Sequence, residues 1–321
     1  MATSNQIKAL IRSHYTSDRE SFTTFALQLA AHEAKKGHYD LAHTIRDLVD
    51  ESKSKPSNQV QFAPELESLI IPTMPNIRLS ELIVSEELLN RINRILREYL
   101  QREKLKKHGL TNRRKILLAG PPGTGKTLTA SVIATELRMP LNTILMDKMV
   151  TKFMGGTSAK LRQIFDVIRK RRGVYLFDEF DAIGAERGRE NEVGEMRRIL
   201  NSFLQFIEQD SSDSLIVAAT NNPQILDHAL FRRFDDVLYY DLPNESEIIK
   251  LIENRLGQFR RKGLSLKSVL QESATLSHSE ITQACDNAIK EAILSDQSKV
   301  TAKLLSSMVR ERRLAYQSKV A

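Results

Sequence analysis

One eight-residue stretch constrains this chain more than any other. Residues 120–127 read Gly-Pro-Pro-Gly-Thr-Gly-Lys-Thr, which matches the pattern G-x-x-x-x-G-K-[ST]. An apolar run at 116–119 precedes the motif and predicts a buried strand, and residues 128–134 predict a helix. In this context the backbone N–H groups of the loop and the N-terminus of the helix both face a bound phosphate. The sequence therefore predicts a nucleotide site in an α/β fold.

Two side chains at the end of the loop carry its chemistry. We expect Lys126 to reach the β- and γ-phosphates and the Thr127 hydroxyl to ligate Mg²⁺. The glycines allow backbone angles and a close approach that a Cβ would forbid. The expected nucleotide contacts in this stretch are Gly120, Pro121, Pro122, Gly123, Thr124, Gly125, Lys126, Thr127 and Leu128.

A second motif ends in paired carboxylates. Residues 173–177 form an apolar run that predicts a strand, and Asp178 and Glu179 follow it. Because ligands bind at the carboxyl ends of strands in doubly wound sheets, both side chains should lie beside the phosphate loop. We expect Asp178 to hold Mg²⁺ and Glu179 to polarise the water that attacks the γ-phosphate.

Further polar residues follow later predicted strands. Asn221 comes after the apolar run 215–219, where its amide could orient the attacking water or serve as an ordinary turn residue. Arg232 and Arg233 lie between apolar residues, and two adjacent arginines need an anion, which is either a carboxylate or a phosphate.

The chain divides by composition into four segments. Residues 1–51 predict a helical bundle, either a docking module or a solubilising extension. Residues 52–76 are polar and proline-rich and predict a linker with one short helical turn near 66–69. Residues 77–243 predict the nucleotide-binding α/β domain, opening with one long helix at 79–105, and residues 244–321 predict a helical domain.

Composition narrows the class of protein. A single cysteine, Cys285 on a predicted core face, excludes an internal disulfide framework. The sequence has no apolar run near the roughly 20 residues that span a bilayer, and its N-terminus lacks a signal-peptide core, so we expect a cytoplasmic protein without membrane contact. The net charge of +8, with a basic segment at 97–115, fits either a solvated face or a surface for nucleic acid or an acidic partner.

These motifs, in this order and spacing, resemble the AAA ATPases over about residues 77–295. The resemblance rests on residues 120–127, 176–179, 219–221 and 226–235. It implies a parallel sheet of strand order 5-1-4-3-2, a C-terminal helical lid, ATP and Mg²⁺ as ligands, and a homo-oligomeric ring, usually hexameric. It also implies that Asn221 is the water-orienting sensor 1 and that Arg232 and Arg233 act in trans on the γ-phosphate of a neighbour.

The same resemblance implies a protein substrate. Lys152, Phe153 and Met154 fall where the family places its central-pore loop, so Phe153 would grip an extended polypeptide. A second pore loop would lie at 188–195. The chain is similar to the severing and disassembly branch, and to small bacterial AAA ATPases encoded beside a subtilisin-like protease in defence or plasmid-maintenance systems, which implies a partner protease.

The sequence also departs from the family pattern. Many relatives have Ser-Gly-Ala-Asp-Ile where this chain has Ser-His-Ser-Glu-Ile at 277–281. His278 replaces a glycine close to the nucleotide, so either the helix lies farther away or His278 contacts base or ribose. We include His278 and Ile83 among the expected nucleotide contacts. Gly156 replaces an acidic residue of the pore loop, which bears on contacts between subunits.

Three functions are compatible with the sequence. The leading one is an ATP-driven remodeller of proteins that threads its substrate past Phe153. The second is a nucleic-acid-directed ATPase, which DNA or RNA would stimulate in a salt-sensitive way. The third is a nucleotide-gated scaffold that regulates a partner enzyme without productive turnover, which the presence of Glu179, Arg232 and Arg233 argues against.

Overall fold

The chain forms two compact units, Met1–Val60 and Gln61–Ala321. The computed structural model describes Ser13 and residues 19–54, 64–152, 156–183, 190–225, 228–261 and 263–317. Within these residues, no helix is both long enough and apolar enough to cross a membrane.

Apart from Ser13, the described part of the N-terminal unit consists of two helices joined by a short turn. Helix α1 spans Arg19–Lys35 and helix α2 spans Tyr39–Ser54, which carries α2 past the predicted end of the bundle at residue 51. Gly37 lies between them with a φ of +86°, the left-handed conformation typical of a residue that ends a helix. The bundle's predicted first helix lies outside the described residues, apart from Ser13.

A six-stranded sheet forms the centre of the larger unit. Its order is β1-β3-β4-β5-β2-β6, with β1 antiparallel to β3 and the remaining neighbours parallel. The apolar runs in β2, β4 and β5 are buried, as expected for parallel strands covered on both faces. The strands are β1 Ile70–Thr73, β2 Lys115–Ala119, β3 Leu141–Leu145, β4 Val174–Asp178, β5 Leu215–Thr220 and β6 Asp236–Tyr239.

The predicted linker at 52–76 needs correction over its second half. Pro64–Glu67 forms a short helix, α3, and Ile70–Thr73 forms the edge strand β1, in which Pro72 lies opposite Asn142. An edge strand tolerates proline because one side of its backbone has no ladder hydrogen bonds to make. The prolines that indicated a linker are therefore compatible with a strand here.

The long helix predicted at 79–105 is interrupted. A 3₁₀ turn covers Leu79–Glu81, helix α4 spans Glu86–Leu100 and helix α5 spans Arg102–Lys107. Ser85 caps α4 by accepting a hydrogen bond from the N–H of Leu88 at 3.3 Å. The remaining helices of this part are α6 Lys126–Glu136, α7 Met146–Lys152, α8 Thr157–Lys170, α9 Glu190–Gln209 and α10 His228–Phe231.

The C-terminal part is helical, as predicted, and has a hydrophobic cluster distinct from that of the sheet. Its helices are α11 Glu245–Leu256, α12 Lys267–Ser273, α13 His278–Leu294 and α14 Ala302–Gln317. Cys285 lies in this cluster with no exposed surface, and burial raises the pKa of its thiol to about 12. The thiolate, which is the reactive form, is therefore scarce at neutral pH. The predicted domain boundary at 243/244 falls in the loop between β6 and α11.

Candidate nucleotide-binding site

A cavity of about 1000 Å³ lies at the carboxyl ends of three neighbouring strands, β2, β4 and β5. The phosphate loop forms one wall, and helices α11 and α13 form another. Most of the predicted site residues line this cavity: Ile83, Pro122, Gly123, Thr124, Gly125, Lys126, Thr127, Leu128, Asp178, Glu179, Asn221 and His278.

Lys126 is held inside the loop by backbone oxygens. Its Nζ donates hydrogen bonds of 2.7 Å to the carbonyl of Gly120 and of 2.7 Å to that of Pro121. These two predicted site residues do not line the cavity and instead position Lys126. Burial lowers the pKa of Lys126 to about 8, against the attraction of Asp178 and Asp181. A bound phosphate would favour the charged ammonium, so the loop holds this cation ready for an anion.

The loop is fixed from two sides by close contacts at glycines. Gly120 has a φ of +149°, and an added Cβ would overlap the carbonyl oxygen of Tyr240. Gly123 has a φ of +74°, and its added Cβ would lie 2.6 Å from the Oγ of Ser277 on the lid. The N–H of Ser279 donates to the carbonyl of Gly123 at 3.0 Å, so helix α13 is bonded directly to the loop.

The contact at Gly120 gives a stability prediction. We expect Gly120→Ala to lower the free energy of unfolding by about 3 kcal/mol or more, because both the backbone angle and the Tyr240 carbonyl oppose a Cβ. Gly109→Ala is the matched control: its φ is +72° and no described atom lies within 4 Å of the added Cβ, so about 1 kcal/mol is expected. Urea titration of both variants measures the difference, and equal losses would contradict the packing argument.

Two oxygen-bearing side chains meet at the mouth of the cavity in a way that suits Mg²⁺. The Oγ1 of Thr127 donates to the Oδ2 of Asp178 at 3.0 Å, and both groups are partly or fully exposed. Proteins usually bind Mg²⁺ through a few side-chain oxygens, and water molecules fill the other coordination positions. A hydroxyl and a carboxylate beside an open cavity match this pattern. These residues therefore fit the metal that the loop motif implies.

Glu179 adopts a backbone conformation that is uncommon for its residue type. Its φ is +52°, and its N–H donates to the Oδ1 of Asp178 at 3.0 Å. A non-glycine residue held in this region costs free energy, which the surrounding fold must supply. The turn places an exposed carboxylate on the cavity beside Asp178.

Asn221 is positioned by a residue that the sequence did not mark as part of the site. Its backbone N–H donates to the Oδ1 of Asp181 at 3.2 Å, and its side chain lines the cavity. The contact gives Asp181 a structural role, because it fixes the backbone at Asn221. In the sequence, the one indication that Asp181 belongs to the site is its position two residues after Glu179.

The lid wall contains polar residues that the sequence analysis missed. Arg255 on α11 makes a two-point ion pair with Asp286 on α13, at 2.5 and 2.7 Å, and both line the cavity together with Asn254 and Gln283. The apolar faces of these two helices pack into the C-terminal hydrophobic cluster. The opposite faces of the same helices carry these polar groups.

The two predicted arginines do not line the cavity of their own chain. Arg233 forms an ion pair of 2.6 Å with Glu208, whose side chain is about as exposed as its own, at 45% and 42%. Arg232 is exposed. An ion pair with this much exposure contributes about 0–1 kcal/mol, so Arg233 can leave Glu208 for another anion at little cost.

The predicted pore loop falls at the limit of what the structure describes. Lys152 is the last residue of α7, and its side chain, like Phe153 and Met154, lies outside the described residues. Of the predicted second pore loop at 188–195, residues 188 and 189 lie outside the described residues, and residues 190–195 form the start of helix α9.

A glycine-rich loop between a central strand and a helix, with a threonine and an aspartate meeting beside it, defines a P-loop nucleotide-binding protein. Residues 116–242 match the model of the ATPase family associated with various cellular activities (AAA). An AAA family ATPase of Sinorhizobium fredii, y4kL, is 30% identical over 336 residues, which cover 100% of this chain and 99% of the relative. The chain belongs to the AAA family of ATPases, as its motifs predicted.

One further relative agrees with this assignment, and one solved structure agrees with the fold. A proteasome-activating nucleotidase of Saccharolobus islandicus is 31% identical over 290 residues, which cover 84% of this chain and 73% of the relative. The crystal structure of the FIGL-1 AAA domain superposes with a TM-score of 0.62 at 22% identity, covering 83% of this chain and 98% of that one. The predicted α/β fold with a mostly parallel sheet is confirmed.

Proposed function

We propose that this chain assembles with copies of itself into a ring, six-membered by family resemblance, that hydrolyses ATP with Mg²⁺ to remodel a protein substrate. The observation that carries the proposal is an incomplete site. Lys126, Asp178, Glu179 and Asn221 line one cavity, whereas the Arg232–Arg233 pair is exposed and does not line it. A neighbouring subunit is the natural source of the missing cation.

Each side chain then has one task during hydrolysis. Lys126 would exchange the carbonyls of Gly120 and Pro121 for phosphate oxygens. Thr127 and Asp178 would hold the metal, which would supply positive charge against the phosphates. The amide of Asn221 orients a water, and the carboxylate of Glu179 accepts its proton as the oxygen attacks the γ-phosphorus. The bond from that phosphorus to the bridging oxygen breaks, and ADP is the leaving group.

Arg232 and Arg233 would complete the site from the next subunit. Developing charge on the transferred phosphoryl group favours a guanidinium brought close to it. Because the ion pair between Arg233 and Glu208 is exposed, moving Arg233 to a phosphate on the neighbour requires no large rearrangement. Hydrolysis would therefore depend on assembly.

The proposal of a protein substrate rests on the family and on the pore-loop pattern. A relative of similar sequence is, by its name, a nucleotidase that activates a proteasome. We propose that Phe153, flanked by Lys152 and Met154, grips polypeptide in the ring centre, and that a subtilisin-like protease is the partner served. We also propose a cytoplasmic location, because thiols stay reduced there and the sequence has a single cysteine.

A pore-loop variant tests this function. We expect Phe153→Ala to keep basal ATP turnover while stimulation by an unfolded protein such as casein falls about tenfold, because the proposed aromatic anchor for the polypeptide is lost. Phe153→Tyr is the matched control and should keep the stimulation. Steady-state hydrolysis with and without casein measures both. Full stimulation of the alanine variant would exclude threading past this residue.

The basic segment gives little support to a nucleic-acid-directed ATPase. Arg113 pairs with Glu98 at 2.9 Å, Arg114 pairs with the buried Asp210, and Lys106 pairs with Asp213 at 3.4 Å. Charges that are neutralised by neighbouring carboxylates are less available to phosphates of a nucleic acid. We therefore retain the remodelling function as the proposal, and stimulation of turnover by DNA or RNA would reverse that choice.

A further inference from the structure

His278 is the first residue of helix α13 and is 9% exposed. Its neighbour Ser277 caps the helix: the Ser277 Oγ accepts from the N–H of Glu280 at 3.4 Å, and the Ser277 N–H donates to the Glu280 carboxylate at 2.6 Å. Neither ring nitrogen of His278 has a hydrogen-bond partner among the described residues. Buried polar groups are nearly always paired, so this imidazole requires an explanation.

The position of His278 supplies one, because the residue lines the candidate nucleotide cavity. The next residue, Ser279, donates its N–H to the carbonyl of Gly123 in the phosphate loop at 3.0 Å. The first turn of α13, to which His278 belongs, therefore lies beside the loop. Phosphates are bound by the loop's own N–H groups and by Lys126, which leaves the nucleoside as the part of the ligand nearest to His278.

The protonation state of the ring agrees with an uncharged partner. Burial lowers the pKa of His278 to about 4, so the imidazole is neutral at physiological pH and offers one donor and one acceptor. A neutral ring gains nothing from the charge of a phosphate. A sugar hydroxyl can both donate and accept, and it therefore suits either tautomer.

We propose that His278 is a nucleoside-binding residue that hydrogen-bonds a ribose hydroxyl of the bound nucleotide, an inference that rests on the proposed ATPase function. The ribose is favoured over the base because it directly follows the phosphates, and Ser277 and Ser279, on either side of His278, both lie against Gly123 of the phosphate loop. The apolar side chains of Ile83 and Leu251, which line the same cavity, suit the flat face of a base instead. The ring gains its missing hydrogen bond only when nucleotide is present.

This proposal predicts opposite effects of one substitution on two quantities. His278→Phe keeps an aromatic ring but removes the unpartnered nitrogens, so the nucleotide-free protein should unfold at the same or a higher temperature. The same variant should bind ADP about three- to tenfold more weakly, since one hydrogen bond is lost. A merely structural histidine would lower both quantities or neither.

The experiment measures ADP, 2′-deoxy-ADP and 3′-deoxy-ADP binding to the full chain by calorimetry in Mg²⁺, beside thermal unfolding without nucleotide. Wild type should prefer ADP over the analogue that lacks the contacted hydroxyl, and His278→Phe should lose that preference. His278→Asn, which keeps a donor and an acceptor, should retain part of it. His32→Phe is the matched control and should leave binding unchanged. The Nε2 of His32 also has no hydrogen-bond partner in the described part of the chain, but His32 lies in the N-terminal unit.

Two results would overturn the inference. One is a wild type that binds all three nucleotides equally, and the other is a preference that survives in His278→Phe. Should His278→Phe fail to fold, the asparagine variant and the wild-type preference still decide the matter. A wild type that binds no ADP at all would count against the proposed ATPase function itself, whereas ADP binding without a role for His278 would count against this inference alone.

Discussion

Glu179→Gln is expected to lower ATP turnover by about 10²- to 10⁴-fold while nucleotide affinity stays close to that of wild type. The amide has nearly the same size as the carboxylate but cannot accept the proton of the attacking water. Binding should be spared because Lys126, Thr127 and Asp178, which line the cavity and which we propose hold the phosphates and the metal, are untouched. Turnover of the purified variant and calorimetric binding of ATP provide the two measurements.

Glu179→Asp is the matched variant for this residue. It keeps the carboxylate but withdraws it by one methylene, so we expect turnover between those of wild type and the glutamine variant. The left-handed backbone of Glu179 tolerates Asp and Asn better than most residues, which makes a folding defect less of a concern. A glutamine variant that turns over at the wild-type rate would remove Glu179 from the mechanism, and one that cannot bind ATP would assign it to binding instead.

Arg233→Ala is expected to lower turnover by about 10³- to 10⁵-fold, the effect of losing an arginine that stabilises charge on the transferred phosphoryl group. Arg232→Ala should act in the same direction. The decisive measurement mixes two inactive variants, Arg233→Ala and Glu179→Gln, under conditions that allow subunits to exchange. If the arginine acts in trans, about a quarter of the sites in a random equal mixture combine an intact Glu179 with an intact Arg233 and regain activity.

A mixture that stays inactive would contradict action in trans, since an arginine acting in its own subunit can never be combined with the other variant's glutamate. Glu208→Gln is the control for the local environment of Arg233. It removes the 2.6 Å ion pair within the chain but leaves the guanidinium, so turnover should be preserved. A large loss of turnover in Glu208→Gln would show that Glu208 has a role in hydrolysis beyond its ion pair with Arg233.

The parts of the site that could be predicted from sequence are local in the chain. The phosphate loop is one continuous stretch, and Asp178 and Glu179 directly follow an apolar strand, so their place at the cavity follows from the rule for parallel sheets. The cavity lining agrees with this expectation. His278 was included only because it departs from a family pattern.

The missed parts depend on pairings between distant residues. The strand β1 is recognised only once β3 is beside it, and its Pro72 indicates a linker when read alone. The ion pair of Arg255 with Asp286 joins two helices of the lid. Such contacts are set by the packing of one helix or strand against another. The residue pattern along a single helix does not specify that packing.

The hydrogen bond from Ser279 to Gly123 has a mechanical consequence. It holds the start of α13 against Gly123 of the phosphate loop, the segment that we propose binds phosphate. Helix α13 has 17 residues and is therefore about 25 Å long. If α13 tilted by about 10° about the end that is bonded to the loop, its other end would move by about 4 Å. A small displacement of the loop would then produce a larger displacement at the C-terminal end of α13. The hydrogen bond at Gly123 therefore couples the orientation of α13 to the conformation of the phosphate loop.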